Sequence, residues 1–502
     1  MHYDDGSDQR DVGSAPCPPL DLRTSILNLT HADVLPKPIL LQALTDAYFN
    51  HVYPFYPVVD RDDLNDPGSS IMLQQAVCLA GSLMQHDVGN LQLCRSQYEK
   101  VKTLIHLNYE EDNVTLLKTL CLLTCYSVLP TDRVTFDGPW HWLGMAIRLA
   151  VQLGLHKDST YRQYSNPGCL RRLFWYLVNA DRLATSCWGR PSALGDWDVS
   201  SLAESDFTVQ GRTSLLFLQT LSLSETTGHI AEMTLNQSRR SSDPPTNLVE
   251  RLCSWVRDLP QELKLHSPDE TRQPFWRPAI ELHILYFATL ILLQLLDQVE
   301  YPWRIGPSSL AAASCIARLY EEIHYREETA HLLQIHGFFC MVAAVPLICY
   351  PHTSLELDTA RNESIDIICR VLGRINCKYG GSEVVLRKVR RLRQEIKDNH
   401  HRVSADVQQS HVTDQPMVMA SSIQTRRDEL FPFPRGFCGA LETLNWDVAD
   451  VSHHVREAGE EDLGSAPTPL FYDNFMNLAD VLSMDYSMLG SENGYESLGL
   501  GL

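Results

Sequence analysis

The 502-residue chain carries a formal net charge of −20. An acidic balance of that size excludes broad nonspecific attraction to nucleic acid, which needs clustered Lys and Arg to displace counterions. With 44% hydrophobic residues and a mean hydropathy of −0.18, the composition describes a soluble globular chain with a substantial core.

Residues 1–30 read as a disordered tail. They open MHYDDGSDQR, acidic where a signal peptide opens basic and then apolar, and Pro16, Pro18 and Pro19 follow. From 31 to 402 the hydrophobic spacing is helical. It predicts helices over 39–53, 71–85, 91–107, 114–128 and 140–153, separated by Pro, Gly and Asp clusters. Further helices are expected at 214–235, 247–259, 281–298, 310–325, 330–345, 364–375 and 383–398. Strand-like alternation is scarce, so the fold class is all-α, a large helical bundle or irregular α-α superhelix with disordered tails. The apolar runs 282–296 and 338–350 fall short of the roughly 18 to 20 residues that a membrane span needs. They read as buried helices, and no membrane partner is implied. The fourteen cysteines are scattered, mostly inside apolar helical runs, as free buried thiols of a reducing compartment would be.

Between Gly138 and Asp198 two helices form a hairpin. Trp140, Leu143, Ile147, Ala150 and Val151 share one face of the first. Leu170, Phe174, Leu177, Val178 and Asp181 lie within the second, which starts after Pro167-Gly168 and stops at Gly189-Arg190-Pro191. Its ionisable residues Arg171, Arg172, Asp181, Arg182, Arg190, Asp196 and Asp198 accompany no nucleophile and have no metal-ligand spacing, which favours ion pairs and caps over chemistry.

The order of these motifs, from Leu143 to His156, Arg171 to Trp175, Asp181-Arg182 and Gly189 to Asp198, resembles the regulatory ("middle homology") domain of fungal binuclear zinc-cluster transcription factors. The stretch from Leu40 to Leu64, with Tyr48, Phe49, Pro54, Pro57 and Asp60, is similar to the entry of that domain, and Leu252, Trp255, Leu259, Pro260 and Leu263 to its second half. The resemblance implies a nuclear transcriptional regulator rather than an enzyme. Its partners would be coactivators or other regulators, through homo- or heterodimers. The family normally carries six clustered cysteines that hold two zinc ions, whereas only Cys17 precedes Cys78 here. No metal or cofactor is therefore carried over, and DNA binding is expected only if a zinc cluster is missing from this gene model or supplied by a partner. The domain would mask the tail, self-associate, or sense a metabolite in an interhelical pocket near Trp140, Trp142, Trp175 and Trp188.

Other constellations compete with that reading. Asp62, Asp63 and Asp66 have the spacing by which helical enzymes of isoprenoid diphosphates bind magnesium. Pro57 and Pro67-Gly68 leave only a short helix there, and a second metal motif is missing. Glu328 and His331 have the i, i+3 spacing of metal ligands, but a charged helix face explains them as well. Arg387, Lys388, Arg390, Arg391 and Arg393 form a basic run in an acidic chain, a candidate nuclear-import signal, with Leu386, Val389, Leu392 and Ile396 placed to anchor it.

After 402 the composition becomes polar, and 403–502 is expected to be a largely disordered acidic tail. Within 441–502 twelve acidic residues face the single basic Arg456. Phe471, Phe475, Leu478 and Leu482 would share one face of a helix formed on docking to a coactivator, which makes 441–502 a candidate activation segment.

Overall fold

The computed structural model describes residues 20–65, 68–85, 90–127, 135–235, 246–296, 305–350, 354–403 and 425–444. The described residues are helical, with two isolated β-bridges, Lys157 with Asp198 and His266 with Arg272, and no strand among them.

The helices start where side chains or prolines dispose of the unpaired first-turn N–H groups. Helix α1 spans Leu20–Thr30 and α2 Pro38–Ala47, with Pro38 in the first turn. A π turn, Tyr48–Val52, then ends the helix expected over 39–53, and the Tyr48 hydroxyl donates to the Tyr56 carbonyl at 2.8 Å. After the four-residue α3, Asp62–Asn65, come α4 (Ile71–Ser82, capped by Ser70), α5 (Asn90–His106) and α6 (Asn113–Leu123, capped by Asp112). The hairpin is α7, Pro139–Gln152, and α8, Pro167–Trp188. Asn166 caps α8 by accepting from the Cys169 N–H. Gly189 closes it in the left-handed region at φ 61°, where a Cβ is costly.

The second half contains α9 (Arg212–Leu235), α10 (Thr246–Asp258), α11 (Arg277–Leu296), α12 (Pro307–Tyr325), α13 (His336–Cys349), α14 (Leu355–Ile375) and α15 (Gly380–Val403). Neighbours in sequence mostly pack as neighbours in space. Helix α4 lies on α2, α5 and α6, and the path continues α6 on α7, α7 on α8 and α8 on α9. From there α9 packs on α11, which also meets α10, α12 and α13, while α14 and α15 close over α12 and α13. One continuous apolar core runs through this stack. Where α2 crosses α4 the backbones touch, and a Cβ on Gly81 would sit 1.9 Å from the Leu44 carbonyl oxygen.

Helix α11 is longer than the apolar run at 282–296 suggests, because an Arg277–Glu281 ion pair within its first turns extends it toward the N-terminus. Its segment Arg277–Leu295 is long and apolar enough to cross a membrane, yet it is almost wholly buried inside the fold, where it packs on α9, α10, α12 and α13.

Both expected tail boundaries shift. Residues 20–30 are helical, with Leu27 packed on buried Met72 and Leu104. Residues 1–19 lie outside the described residues. At the other end, 425–444 returns to the core. Leu430, Phe431, Cys438 and Leu444 are buried, and the Tyr286 hydroxyl donates to the Leu430 carbonyl at 2.7 Å. Phe431, Phe433 and Phe437 surround the ring of Phe287 at 5.3–6.5 Å. Composition signals polarity around this short segment but not the aromatic cluster that seats it.

Candidate functional site: a cavity between the helices

The ionisable residues of the hairpin are structural. Arg172 is 1% exposed, and its guanidinium donates to the carbonyls of Pro57 and Asp206 and to the carboxylate of buried Asp60. Arg171 pairs with the Asp206 carboxylate. Asp181 accepts from the N–H groups of Ala193 and Leu194 at 3.0–3.1 Å and from the Ser192 hydroxyl at 2.6 Å, which ties the Gly189-Arg190-Pro191 turn back onto α8. Arg182 lies over Trp197 and Arg190 over Trp140, with the guanidinium carbon 5.6 and 4.6 Å from the ring centres. The motif that carries the resemblance is thus a set of clamps joining the domain entry, the hairpin and the turn that follows.

Among the described residues the magnesium arrangement does not assemble. Asp63 accepts from Lys118 Nζ at 2.7 Å through both oxygens and from the Asp60 N–H, so its charge is already paired; Asp62 is exposed, and Asp66 lies outside the described residues.

Glu328 and His331 do meet, with His331 Nδ1 2.7 Å from the carboxylate, and His51 stacks on His331 at 3.8 Å. Their ligand atoms fall within 4.8 Å of one another, the spacing of a metal site. However, the Arg277 guanidinium reaches Glu328 at 3.5 Å and donates to the His51 carbonyl at 3.2 Å, so the Glu328 charge already has a cationic partner. Burial, then His331 and Arg277, lower the His51 pKa to about 4.

In the basic run, Leu386, Val389 and Leu392 are buried and Ile396 packs partly against the core, so α15 is anchored as its spacing implies. Arg387, Arg390 and Arg391 are exposed; Lys388 and Arg393 are half-buried. Arg391 pairs with Glu395 and Arg393 with Asp366, each at 2.7 Å. Phe471, Phe475, Leu478 and Leu482 lie outside the described residues. Of the acidic segment only 441–444 is described, with Leu441 and Leu444 packed on the core.

Residues beside all four tryptophans named for an interhelical pocket, Pro139, Leu143, Tyr176 and Cys187, line one cavity, while the rings themselves are placed differently. Trp140 is exposed beneath Arg190, Trp142 is buried and donates to the Tyr98 hydroxyl at 3.2 Å, and Trp175 is half-buried and donates to the Ser200 carbonyl at 3.0 Å. Trp188 itself lines the cavity. That cavity has a volume of about 120 Å³ and lies among α7, α8, α11, α13 and the junction of α14 with α15. Leu143, Ala180, Leu183, Leu282, Leu285 and Phe339 supply apolar walls. Four residues of the lining also carry a fully buried polar atom without a hydrogen-bond partner: Asn179 Oδ1, Gln334 Oε1, the Tyr379 hydroxyl and Ser382 Oγ. Asn179, Tyr379 and Ser382 are 6%, 1% and 1% exposed. The Thr124 and Tyr176 hydroxyls also face the cavity but satisfy each other at 2.6 Å.

At one side Glu281 meets His336 Nε2 at 2.7 Å and pairs with Arg277, while His336 Nδ1 lies 2.9 Å from the Tyr320 hydroxyl. Burial alone would raise the Glu281 carboxyl, but Arg277 and His336 outweigh it and hold its pKa below the ordinary value. Burial pushes the Tyr56, Tyr176 and Tyr379 phenols up, so all three are neutral hydroxyls at physiological pH. The sequence carries no signal for this set, because its members come from separate segments and each is an ordinary polar residue in its own surroundings.

Comparison with known proteins accords with this architecture. Residues 45–289, from α2 through most of α11, match the model of the fungal specific transcription factor domain. The acetamidase regulatory protein of Aspergillus fumigatus is 30% identical over 346 residues, covering 63% of this chain and 44% of that protein. Cutinase transcription factor 1 alpha of Fusarium vanettenii is 30% identical over 307 residues, covering 54% of this chain and 33% of its own length. The acetamidase regulatory protein of Emericella nidulans is 29% identical over 345 residues. The matched stretch, which is thus similar to a fungal specific transcription factor domain, contains the α7–α8 hairpin and its clamps. It spans a third to under half of the length of these relatives.

Proposed function

We propose that the protein is a transcriptional regulator of the fungal type acting in the nucleus. The helical domain receives the regulatory input, and the acidic segment 441–502 contacts coactivators or other regulators. The observation that carries this reading is the match of 45–289 to the transcription factor domain, together with relatives named as an acetamidase regulatory protein and a cutinase transcription factor. A catalytic role is not favoured: Asp63 is committed to Lys118, and the buried hairpin charges are committed to one another.

The exposed Arg387, Arg390 and Arg391 on α15 support import by a basic face, and the aromatic residues interleaved with acids in 441–502 support activation. Fused whole to an unrelated DNA-binding domain, the chain should activate a reporter. Replacing Phe471, Phe475, Leu478 and Leu482 together by Ala should remove most of that signal at unchanged charge, and an inert fusion would count against the reading. A fluorescent fusion should accumulate in nuclei and lose that accumulation when Arg387, Arg390 and Arg391 are all changed to Ala.

A further inference from the structure

The fold decides how a partner can read the basic run of α15. A linear signal is bound as an extended peptide, through its backbone and alternate side chains. Residues 387–393 lie within α15, and buried Leu386, Val389 and Leu392 hold that helix in the core, so drawing it out would expose all three. What a partner meets is a helical face.

That face is wider than α15. Helices α14 and α15 pack on each other and run antiparallel: Arg393 donates to Asp366 at 2.7 Å and to Asn362 at 2.9 Å, and the Asn376 amide donates to Glu383 at 2.7 Å. In this register 370 falls opposite 389 and 374 opposite 385, which sets Arg370 and Arg374 beside Arg387 and Arg390. The thiol of neighbouring Cys369 reports the same closeness: burial raises its pKa, and the charges of Arg393 and Arg390 oppose the rise. Arg370, Arg374, Arg387 and Arg390 are all exposed. Among the described residues Arg370, Arg374 and Arg390 have no ion pair, and Arg387 reaches Glu383 only at 4.0 Å. With Arg391 they make one end of the helix pair cationic in a chain of net charge −20. The other end is acidic, with Glu363, Asp366, Glu395 and Asp398.

Guanidinium forks fit carboxylates and phosphates alike, so the arginines alone do not choose between a protein and a nucleic acid. Their surroundings do. A duplex presents phosphates along its whole length, and those beyond the arginines would face the acidic end or a surface that is acidic overall. A compact carboxylate patch on a protein meets the arginines alone.

We infer that Arg370, Arg374, Arg387, Arg390 and Arg391 form one two-helix docking face for a protein partner with a compact acidic patch, and that this partner is the receptor carrying the chain into the nucleus. The receptor's role rests on the nuclear import proposed above; the folded signal adds two residues outside the linear run.

Fluorescent fusions of the full chain test it. Arg370→Gln with Arg374→Gln should lower the nuclear-to-cytoplasmic ratio at least about threefold while the urea midpoint stays put, because both side chains are exposed and act on the partner alone. Arg95→Gln with Arg148→Gln removes the same charge from exposed sites elsewhere and should leave the ratio unchanged; a matching drop there would make net charge the cause and overturn the face. If the 370/374 pair accumulates like the parent while the Ala triple at 387, 390 and 391 does not, the signal is linear: the docking face is overturned and the import reading stands. If the triple also accumulates normally, the import reading falls and the face with it. Retention on nucleic acid is measured separately, with the purified full chain and a labelled DNA duplex at physiological salt. No binding is expected, and binding that the 370/374 pair abolishes would assign the face to nucleic acid instead.

Discussion

Arg172 and Asn179 are two turns apart on one face of α8, both buried and both polar, yet the fold treats them oppositely. Around Arg172 every neighbour is arranged to receive a proton: two carbonyls and the Asp60 carboxylate. Asn179 belongs to the lining of a cavity, and its Oδ1 is buried without a hydrogen-bond partner. The contrast separates two uses of buried polarity. A closed network holds elements in register, and its loss is felt as instability. A buried polar atom left unmet carries its desolvation cost without a bond in return.

Changes along α8 and α11 can break or sharpen that contrast. Arg172→Met should be the most damaging, because it leaves the Asp60 carboxylate buried without its partner, at a cost of about 3–5 kcal/mol. Urea unfolding of the variant should show it, and adding Asp60→Leu should recover much of the loss. If Arg172→Met unfolds at the same urea concentration as the parent, the clamp contributes nothing.

A smaller effect should appear with pH. His283 on α11 donates Nδ1–H to the Ala279 carbonyl at 2.8 Å, and burial lowers its pKa from 6.5 to about 4. The unfolded chain takes up a proton between pH 6.5 and 4 that the folded chain refuses. Stability is therefore full above pH 6.5 and falls across that window, by about 1–3 kcal/mol from this residue. In a pH series of unfolding midpoints, His283→Leu should be less acid-sensitive than the parent; parallel curves would show that His283 protonates without penalty.

The smallest effect is expected at the cavity. Asn179→Leu removes an unpartnered acceptor and should change stability by no more than about 0.5 kcal/mol, in either direction. A loss as large as that of Arg172→Met would mean that Asn179 is part of a closed network after all.

Much of this architecture is legible in the chain. Periodicity at three and four residues places most of the helices, because burying one stripe of each helix is what drives the fold. Punctuation by Pro167, Gly189 and Pro307 sets several of their ends, and the hairpin motif points to the transcription factor domain that residues 45–289 match. The buried anchors of the basic helix were also readable, since Leu386, Val389 and Leu392 follow the same spacing.

Tertiary structure alone decided three things. It made 20–30 a helix, because Leu27 finds Met72 and Leu104 far along the chain. It drew 425–444 back onto the core, where Phe431, Phe433 and Phe437 meet Phe287. It also gathered Asn179, Gln334, Tyr379 and Ser382 around one cavity while leaving Trp140, Trp142 and Trp175 outside it. Local periodicity reports which face of a helix is buried, but not against which distant partner, nor whether a buried polar atom will be met there.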